Sequence, residues 1–361
     1  MNKIPLIDVK AQYTPFADEL KAQFAAVLES GQFILGPNVK ALEHEAAEYL
    51  KTADAIGVGN GTDAITLVLN ALEIGPGDEV ICPAFTFYAT AEPIALLGAT
   101  PVYADIDPET MNLDPADVAR KVNSQTTAII AVHLFGRPAP IEALKENGVP
   151  VIEDSAQAFG AAGIAQKGIA ATFSFFPTKN LFCLGDGGLV ATSDGALAER
   201  VRMLRFHGSR DKKLFEYVGY NSRLDELQAA MLRVFLPQID RWNGLRREAA
   251  ARYAELGLGD LVELPRDEPG HVYHLFCVRS TERDRFRDAL AAAGIGHASH
   301  YVVPLHLQPS MAHLGYKQGD LPETERAARE NLCLPLWVGI SRDQQERVVE
   351  TLRLALAVSG Q

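Results

Sequence analysis

An α/β fold followed by a smaller α+β unit is what this sequence predicts, on three observations. From about residue 60 to 206, apolar strand-like runs alternate with amphipathic helical stretches, the pattern of a sheet covered on both faces. After Leu224 the alternation gives way to helical blocks and scattered strands. The chain has 361 residues, 47% of them hydrophobic and 22% charged, which is core material for about two domains.

Taken in order, the small-residue turn Gly59-Asn60-Gly61-Thr62 precedes a helix over Asp63 to Leu72, and Glu79 to Cys82 is a short strand stopped by Pro83. A helix surrounds Ala89 to Leu97, Pro101 to Asp105 is a strand, and Asp114 to Lys121 is helical. Thr126 to Val132 (TTAIIAV) is a continuous buried strand. A helix over Ile141 to Glu146 leads to strands at Val149 to Glu153, Ala171 to Phe176 and Leu189 to Thr192. Two helical blocks, Leu224 to Leu236 and Gln238 to Leu256, are broken by Pro237. Strands at His271 to Val278 and Ile295 to His300 flank a helix at Glu282 to Ala293, and Arg342 to Ala357 is a final helix. The domain boundary falls between 236 and 245, giving a domain at 1–240, amino-terminal segment included, and a smaller one at 241–361. The acidic helix at Ala41 to Lys51 reads as a solvated face.

Composition excludes some classes of function. Lys and Arg total 34 against 46 Asp and Glu, a net charge of −12, so a nucleic acid would meet long-range repulsion. Small anions stay admissible, because helix N-termini reverse the field locally. No apolar run has the length of a membrane span and no export signal opens the chain, so a cytoplasmic protein is expected. Cys82, Cys183, Cys277 and Cys333 are widely spaced and read as buried, reduced thiols. His271-x-x-His274 and His297-x-x-His300 fall in strand-like sequence, where residues three apart face opposite sides, so neither pair is a chelate and no metal is expected.

Three constellations carry possible chemistry. Gly57-Val58-Gly59-Asn60-Gly61-Thr62 lacks the third glycine of a dinucleotide fingerprint. It reads either as a phosphate cup at a helix start or as simple capping by Asn60 or Thr62. The apolar strand ending at Asp154 places a carboxylate where α/β sheets put ligand groups, though such a residue also caps helices. Lys179 follows an aromatic strand and a proline turn and precedes Gly185-Asp186-Gly187-Gly188; desolvation there would make it an amine nucleophile rather than a surface charge. Lysine, strand-end carboxylate and phosphate cup are the parts a pyridoxal-phosphate site requires.

With those parts in place, the sequence resembles the DegT–StrS group of nucleotide-sugar aminotransferases, almost end to end. The shared segments include SGQFILGPNVKALE, GNGTDAITLVLNAL, VIEDSAQAFGA, FSFFPTKN, GDGG, VGYNSRLDELQAAML and HYVVPLHLQP. The resemblance implies the aspartate-aminotransferase-like fold of pyridoxal-phosphate enzymes, with a mostly parallel central sheet. It implies that Lys179 forms the Schiff base and moves protons, and that Asp154 keeps the ring nitrogen protonated. It likewise puts Phe87 on the ring face, Gly61, Thr62 and Ser174 at the phosphate, and Gln157 near the ring hydroxyl. Asn221 matches a residue that reaches the neighbouring subunit's phosphate, implying a homodimer with shared sites, and Tyr301 and His306 match a substrate segment.

The implied reaction is ping-pong transamination, through pyridoxamine phosphate, from an amino donor such as L-glutamate to a keto sugar on UDP or dTDP, with a lean towards 3-keto sugars. Non-nucleotide ketones, aldehydes or other amines are the alternative within the same machinery. A non-catalytic regulatory or binding protein on this fold is the alternative from another class. A sugar dehydratase of the same fold typically has histidine where Lys179 stands. Two departures bear on specificity: the stretch from Asp154 to Lys179 and the helix before Gly148 are short, and Phe182 stands where glycine is common, placing a bulky ring near the substrate mouth.

Overall fold

Each strand of the central sheet is an apolar run whose alternate residues enter cores on opposite faces, which is why hydrophobicity is continuous rather than alternating. In a computed structural model, which describes residues 3–357, the strands are β1 (Asp54–Val58), β2 (Glu79–Pro83), β3 (Thr100–Ala104), β4 (Thr126–Val132), β5 (Val151–Asp154), β6 (Ala170–Ser174) and β7 (Gly188–Thr192). Their order is β1-β7-β6-β5-β4-β2-β3. Strand β7 runs antiparallel to both neighbours and the remaining pairs are parallel. On β4, Ala128 and Ile130 belong to one core and Ile129 and Ala131 to the other. Strand β1 was not among the expected elements; with Ala55 and Gly57 in five residues it carries little local strand signal, and its antiparallel pairing with β7 holds it.

Helices Glu226–Phe235 and Ile239–Glu255 flank the turn Leu236–Gln238, where Pro237 interrupts the helical ladder as expected. Beyond them β8 (Phe276–Arg279) and β9 (Asn331–Leu334) form a two-stranded antiparallel sheet, packed by helices Arg283–Ala292 and Arg342–Ala357. The expected strand from His271 shrinks to β8. Val272 donates to Gly136 O and its carbonyl accepts from Asn180, while Tyr273 has a left-handed φ of 44°, so the segment docks on the first layer. Residues 295–300 make only isolated bridges, to Ile4 and Cys333.

The first residues of the amino-terminal segment are bonded to the carboxy-terminal layer, while Leu20 and Val27 join the core of the large sheet. Ile4 exchanges hydrogen bonds with Gly294 and Gly296, and Leu6 O accepts from Leu336 N. Conversely, Leu305, Met311 and Leu321 return to the core of the large sheet. The helix Pro37–Leu50 corrects the solvated-face reading: Val39, Leu42, Ala46, Ala47 and Leu50 are buried, and Glu43 pairs with Arg205. The four cysteines are buried and free. Among the described residues no helix is long and apolar enough to cross a membrane.

Phe182 does not stand at a substrate mouth. Its ring is buried, 4.8 Å from that of Phe235 and stacked at 6.0 Å on Trp242. Phe182→Ala is therefore expected to cost about 3–5 kcal/mol of stability, as a core cavity does, and to leave acceptor selectivity unchanged. Denaturant melts and product ratios check this; a selectivity change with unaltered stability would contradict it.

Candidate active site

The carboxyl ends of β4, β5 and β6 open into a cavity of about 880 Å³. Asp154 closes β5 and is 5% exposed. Its Oδ2 accepts from Thr90 Oγ1 at 2.8 Å and its Oδ1 from Ala156 N at 3.2 Å. Burial pushes its carboxyl above the ordinary range, opposed by the Thr90 and Ala156 bonds and the Lys179 charge. The preceding residue, Glu153, faces the other side of the sheet by the two-residue period. It takes hydrogen bonds from His133 Nε2 and from the backbone of Ala165, Lys167 and Gly168, which ties down the short irregular stretch after Asp154. Burial pushes Glu153 up, but those bonds outweigh it and hold the carboxyl below the ordinary range.

Lys179 follows β6 in a turn closed by its N–H on Phe176 O at 2.8 Å. Asn180 anchors the turn through Asn243 Oδ1 and Val272 O, so the lysine leaves a fixed backbone. Burial lowers its amine from 10.5 to about 8, against the opposing pull of Asp154. On the same cavity wall, helix Gly61–Ala71 begins with Asn60 as cap, its Oδ1 accepting from Asp63 N at 2.8 Å. The capping reading holds at Asn60, and the first-turn N–H groups of Gly61 and Thr62, which have no partner within a helix, lie on the cavity wall. A Cβ on Gly61 would stand 2.7 Å from Ser174 Cβ, so only glycine lets this turn approach β6.

Gln157 Oε1 accepts from Phe135 N at 2.7 Å and its Nε2 donates to Tyr301 OH at 3.1 Å. The Tyr301 hydroxyl is pushed well above its ordinary range, mainly by burial. Phe87, 59% exposed, opens its ring to the cavity and lies 6.2 Å from the Tyr301 ring. Gly61, Thr62, Phe87, Asp154, Gln157, Ser174, Lys179 and Tyr301 therefore line one cavity.

Two sequence candidates do not. His306 is buried behind the wall, with Nε2 3.2 Å from Glu325 Oε1 and its ring against Tyr316, a correction to its substrate role. Asn221 is exposed and bridged to Phe206, outside its own chain's cavity. In return the cavity includes residues that sequence reasoning passed over: Thr86, Thr90, His274, His300, and Leu6 and Ile7 of the amino-terminal segment. The strand geometry expected at the two histidine pairs does not hold: neither pair is in a strand, and each is split between roles. His274 and His300 reach the cavity, while His271 stacks on Tyr273 and His297 Nδ1 lies 3.0 Å from Ile295 O. Burial holds His274 well below its ordinary value and lowers His300, in both cases aided by the Lys179 charge. Among the described residues no three His, Cys, Asp or Glu side chains gather as a metal site.

The residues present fit pyridoxal phosphate. A buried strand-end carboxylate, a glycine-only turn with donors left for a phosphate, and an amine of lowered pKa line the same cavity. Only the unprotonated amine can attack the cofactor's carbonyl. The rate of covalent capture by apoprotein is expected to climb about tenfold per pH unit up to about pH 8 and then level off. Stopped-flow absorbance across pH checks this; a rate still climbing above pH 9.5 or so, as an ordinary lysine would give, contradicts it.

Residues 16–353 match the DegT/DnrJ/EryC1/StrS aminotransferase family. The chain is 48% identical to a protein of Geobacillus stearothermophilus named pleiotropic regulatory protein, over 97% of each chain. It is 44% identical to the dTDP-3-amino-3,4,6-trideoxy-alpha-D-glucose transaminase of Streptomyces venezuelae, over 97% of this chain and 96% of that one. Its fold matches that of ntda from Bacillus subtilis, solved with bound cofactor PMP, with a TM-score of 0.93 at 29% identity, over 99% of this chain and 86% of that one.

Proposed function

This chain belongs to the DegT/DnrJ/EryC1/StrS aminotransferase family, a pyridoxal-phosphate enzyme, and on that footing we propose that its acceptor is a 3-keto sugar carried on dTDP or UDP and its donor L-glutamate. The observation that carries the reading is the convergence of Lys179, Asp154 and the Gly61 turn on one cavity. The relative from Streptomyces venezuelae, named for a 3-amino sugar on dTDP, supports the choice of acceptor.

Bound pyridoxal phosphate supplies a ring that takes up the negative charge left when a proton leaves the donor's α-carbon. The chain does the rest. The N–H groups of Gly61 and Thr62, with the Ser174 hydroxyl, hold the phosphate at the positive end of the helix. Asp154, hydrogen-bonded by Thr90, holds a proton on the ring nitrogen. Lys179 Nζ takes the α-proton of the donor and returns one to the former carbonyl carbon of the acceptor, which a lowered pKa suits at neutral pH. Phe87 and Tyr301 wall the site and exclude water. The donor leaves as a keto acid and the sugar as an amine.

Asn221, exposed and off its own cavity, is assigned to a partner's phosphate, so the working unit is a homodimer, and its place is the cytoplasm. The name of the Geobacillus relative favours a second reading, a regulatory protein on the same fold. One preparation tests these assignments. Cofactor-loaded protein is offered dTDP- and UDP-linked 3-keto and 4-keto sugars and free ketones with a panel of amines, the products are read by mass spectrometry, and sedimentation gives the subunit number. Amination of 3-keto nucleotide sugars by a dimer is expected. Turnover of free ketones alone overturns the acceptor, a monomer overturns the role of Asn221, and a colourless protein without turnover favours regulation.

A further inference from the structure

Asp154 Oδ2 accepts from the first of two linked hydroxyls carried by the segment that follows a different strand. Strand β2 ends at Pro83, and the chain then enters the cavity wall as Thr86-Phe87-Tyr88-Ala89-Thr90. The Tyr88–Thr90 segment is a single helical turn, closed by Thr90 N on Phe87 O at 3.1 Å. Thr86 and Thr90 are each 1% exposed, and their Oγ1 atoms lie 3.0 Å apart. Thr90 Oγ1 is also 2.8 Å from Asp154 Oδ2.

A hydroxyl has one proton. While Asp154 is ionised it only accepts, so the Thr90 proton points at Oδ2 and Thr90 in turn accepts from Thr86. The direction of the whole chain is thereby set, and each bond polarises the next. One end of the turn carries Phe87, whose ring opens to the cavity, and the other end is pinned to the carboxylate.

We propose that Thr90 is a positioning residue that keeps Asp154 ionised and aimed and fixes the Phe87 ring relative to it, with Thr86 directing its proton. This rests on the reading that the cavity holds pyridoxal phosphate. Burial alone would drive the Asp154 carboxyl towards its neutral form, and the Thr90 bond is the largest of the influences opposing that. A neutral Asp154 no longer favours a proton on the ring nitrogen, so losing Thr90 Oγ1 should register in cofactor binding and ring protonation before any turnover is measured.

Thr90→Val keeps the shape and deletes the donor. It is expected to weaken equilibrium binding of pyridoxal phosphate roughly ten- to a hundredfold, the range of a hydrogen bond to a charged group. The ring-nitrogen NMR signal of cofactor labelled with heavy nitrogen should move towards the unprotonated position. Thr90→Ser keeps the hydroxyl and should restore both readouts. Should Thr90→Val fail to fold, Thr90→Cys, of serine's size with only a weak donor, is expected to show the same losses. Thr90→Val or Thr90→Cys with wild-type affinity and ring protonation overturns the assignment, as does Thr90→Ser as impaired as Thr90→Val, since the methyl group would then be what matters. If wild-type protein binds no pyridoxal phosphate, the proposed function falls and this assignment with it; failure of the Thr90 variants alone leaves that function standing.

Discussion

Lys179→Ala should lose at least about a thousandfold in transamination, because in the proposed mechanism one amine both captures the cofactor and moves the protons. Borohydride reduction followed by mass spectrometry should find pyridoxal phosphate attached to wild-type protein and none on the variant. The apoprotein should nevertheless gain stability. The folded pKa of about 8 lies below the ordinary 10.5, so the unfolded chain binds more protons between those values and stability rises with pH through that window. Below about pH 8 the cost of burying the ammonium is fully present, on the order of 3 kcal/mol. Removing it should raise the neutral-pH melting temperature of apo Lys179→Ala by a few degrees, with the gain shrinking as pH climbs from about 8 and gone above about 10.5. A variant that keeps turnover, or whose gain is the same at all pH values, contradicts this account.

Asp154→Asn is the second large effect. The amide has nearly the shape of the carboxylate but no charge, and one of its two terminal atoms is a donor. Thr90 Oγ1 and Ala156 N both donate to this position, so one of them faces an N–H₂ group. Turnover is expected to fall about a hundred- to a thousandfold, the usual cost of removing one preorganised electrostatic partner. The cofactor should stay attached to Lys179, so kcat falls while the adduct persists. A variant retaining more than about a tenth of wild-type turnover would remove Asp154 from its role at the ring nitrogen.

These two residues were legible in the sequence because each is punctuated locally. Asp154 ends an apolar run, and Lys179 follows an aromatic strand and a proline. The Gly61 turn is legible for the same reason, as small residues ahead of a helix. The partners that tune them were not. Thr90 reaches Asp154 across 64 positions, and His274 and His300 come from the other layer. Strand-like composition at 271–278 misled because its peptides bond to Gly136 and Asn180, an option no local pattern records. Phe182 illustrates the converse. Beside a cofactor turn in sequence it reads as a bulky ring near the substrate mouth, yet a large apolar ring is stabilised most by burial, and it packs against Phe235 and Trp242.

The sequence by itself determined the α/β layers, the family and the candidate reacting groups, because hydrophobic period and turn chemistry act over a few residues. The tertiary structure decided what those groups are. It desolvated Lys179, set Thr90 on Asp154, brought His274 and His300 into the cavity, and left His306 behind the wall and Asn221 at the surface. Burial and hydrogen-bond partners depend on distant segments meeting, and pKa and orientation follow from them.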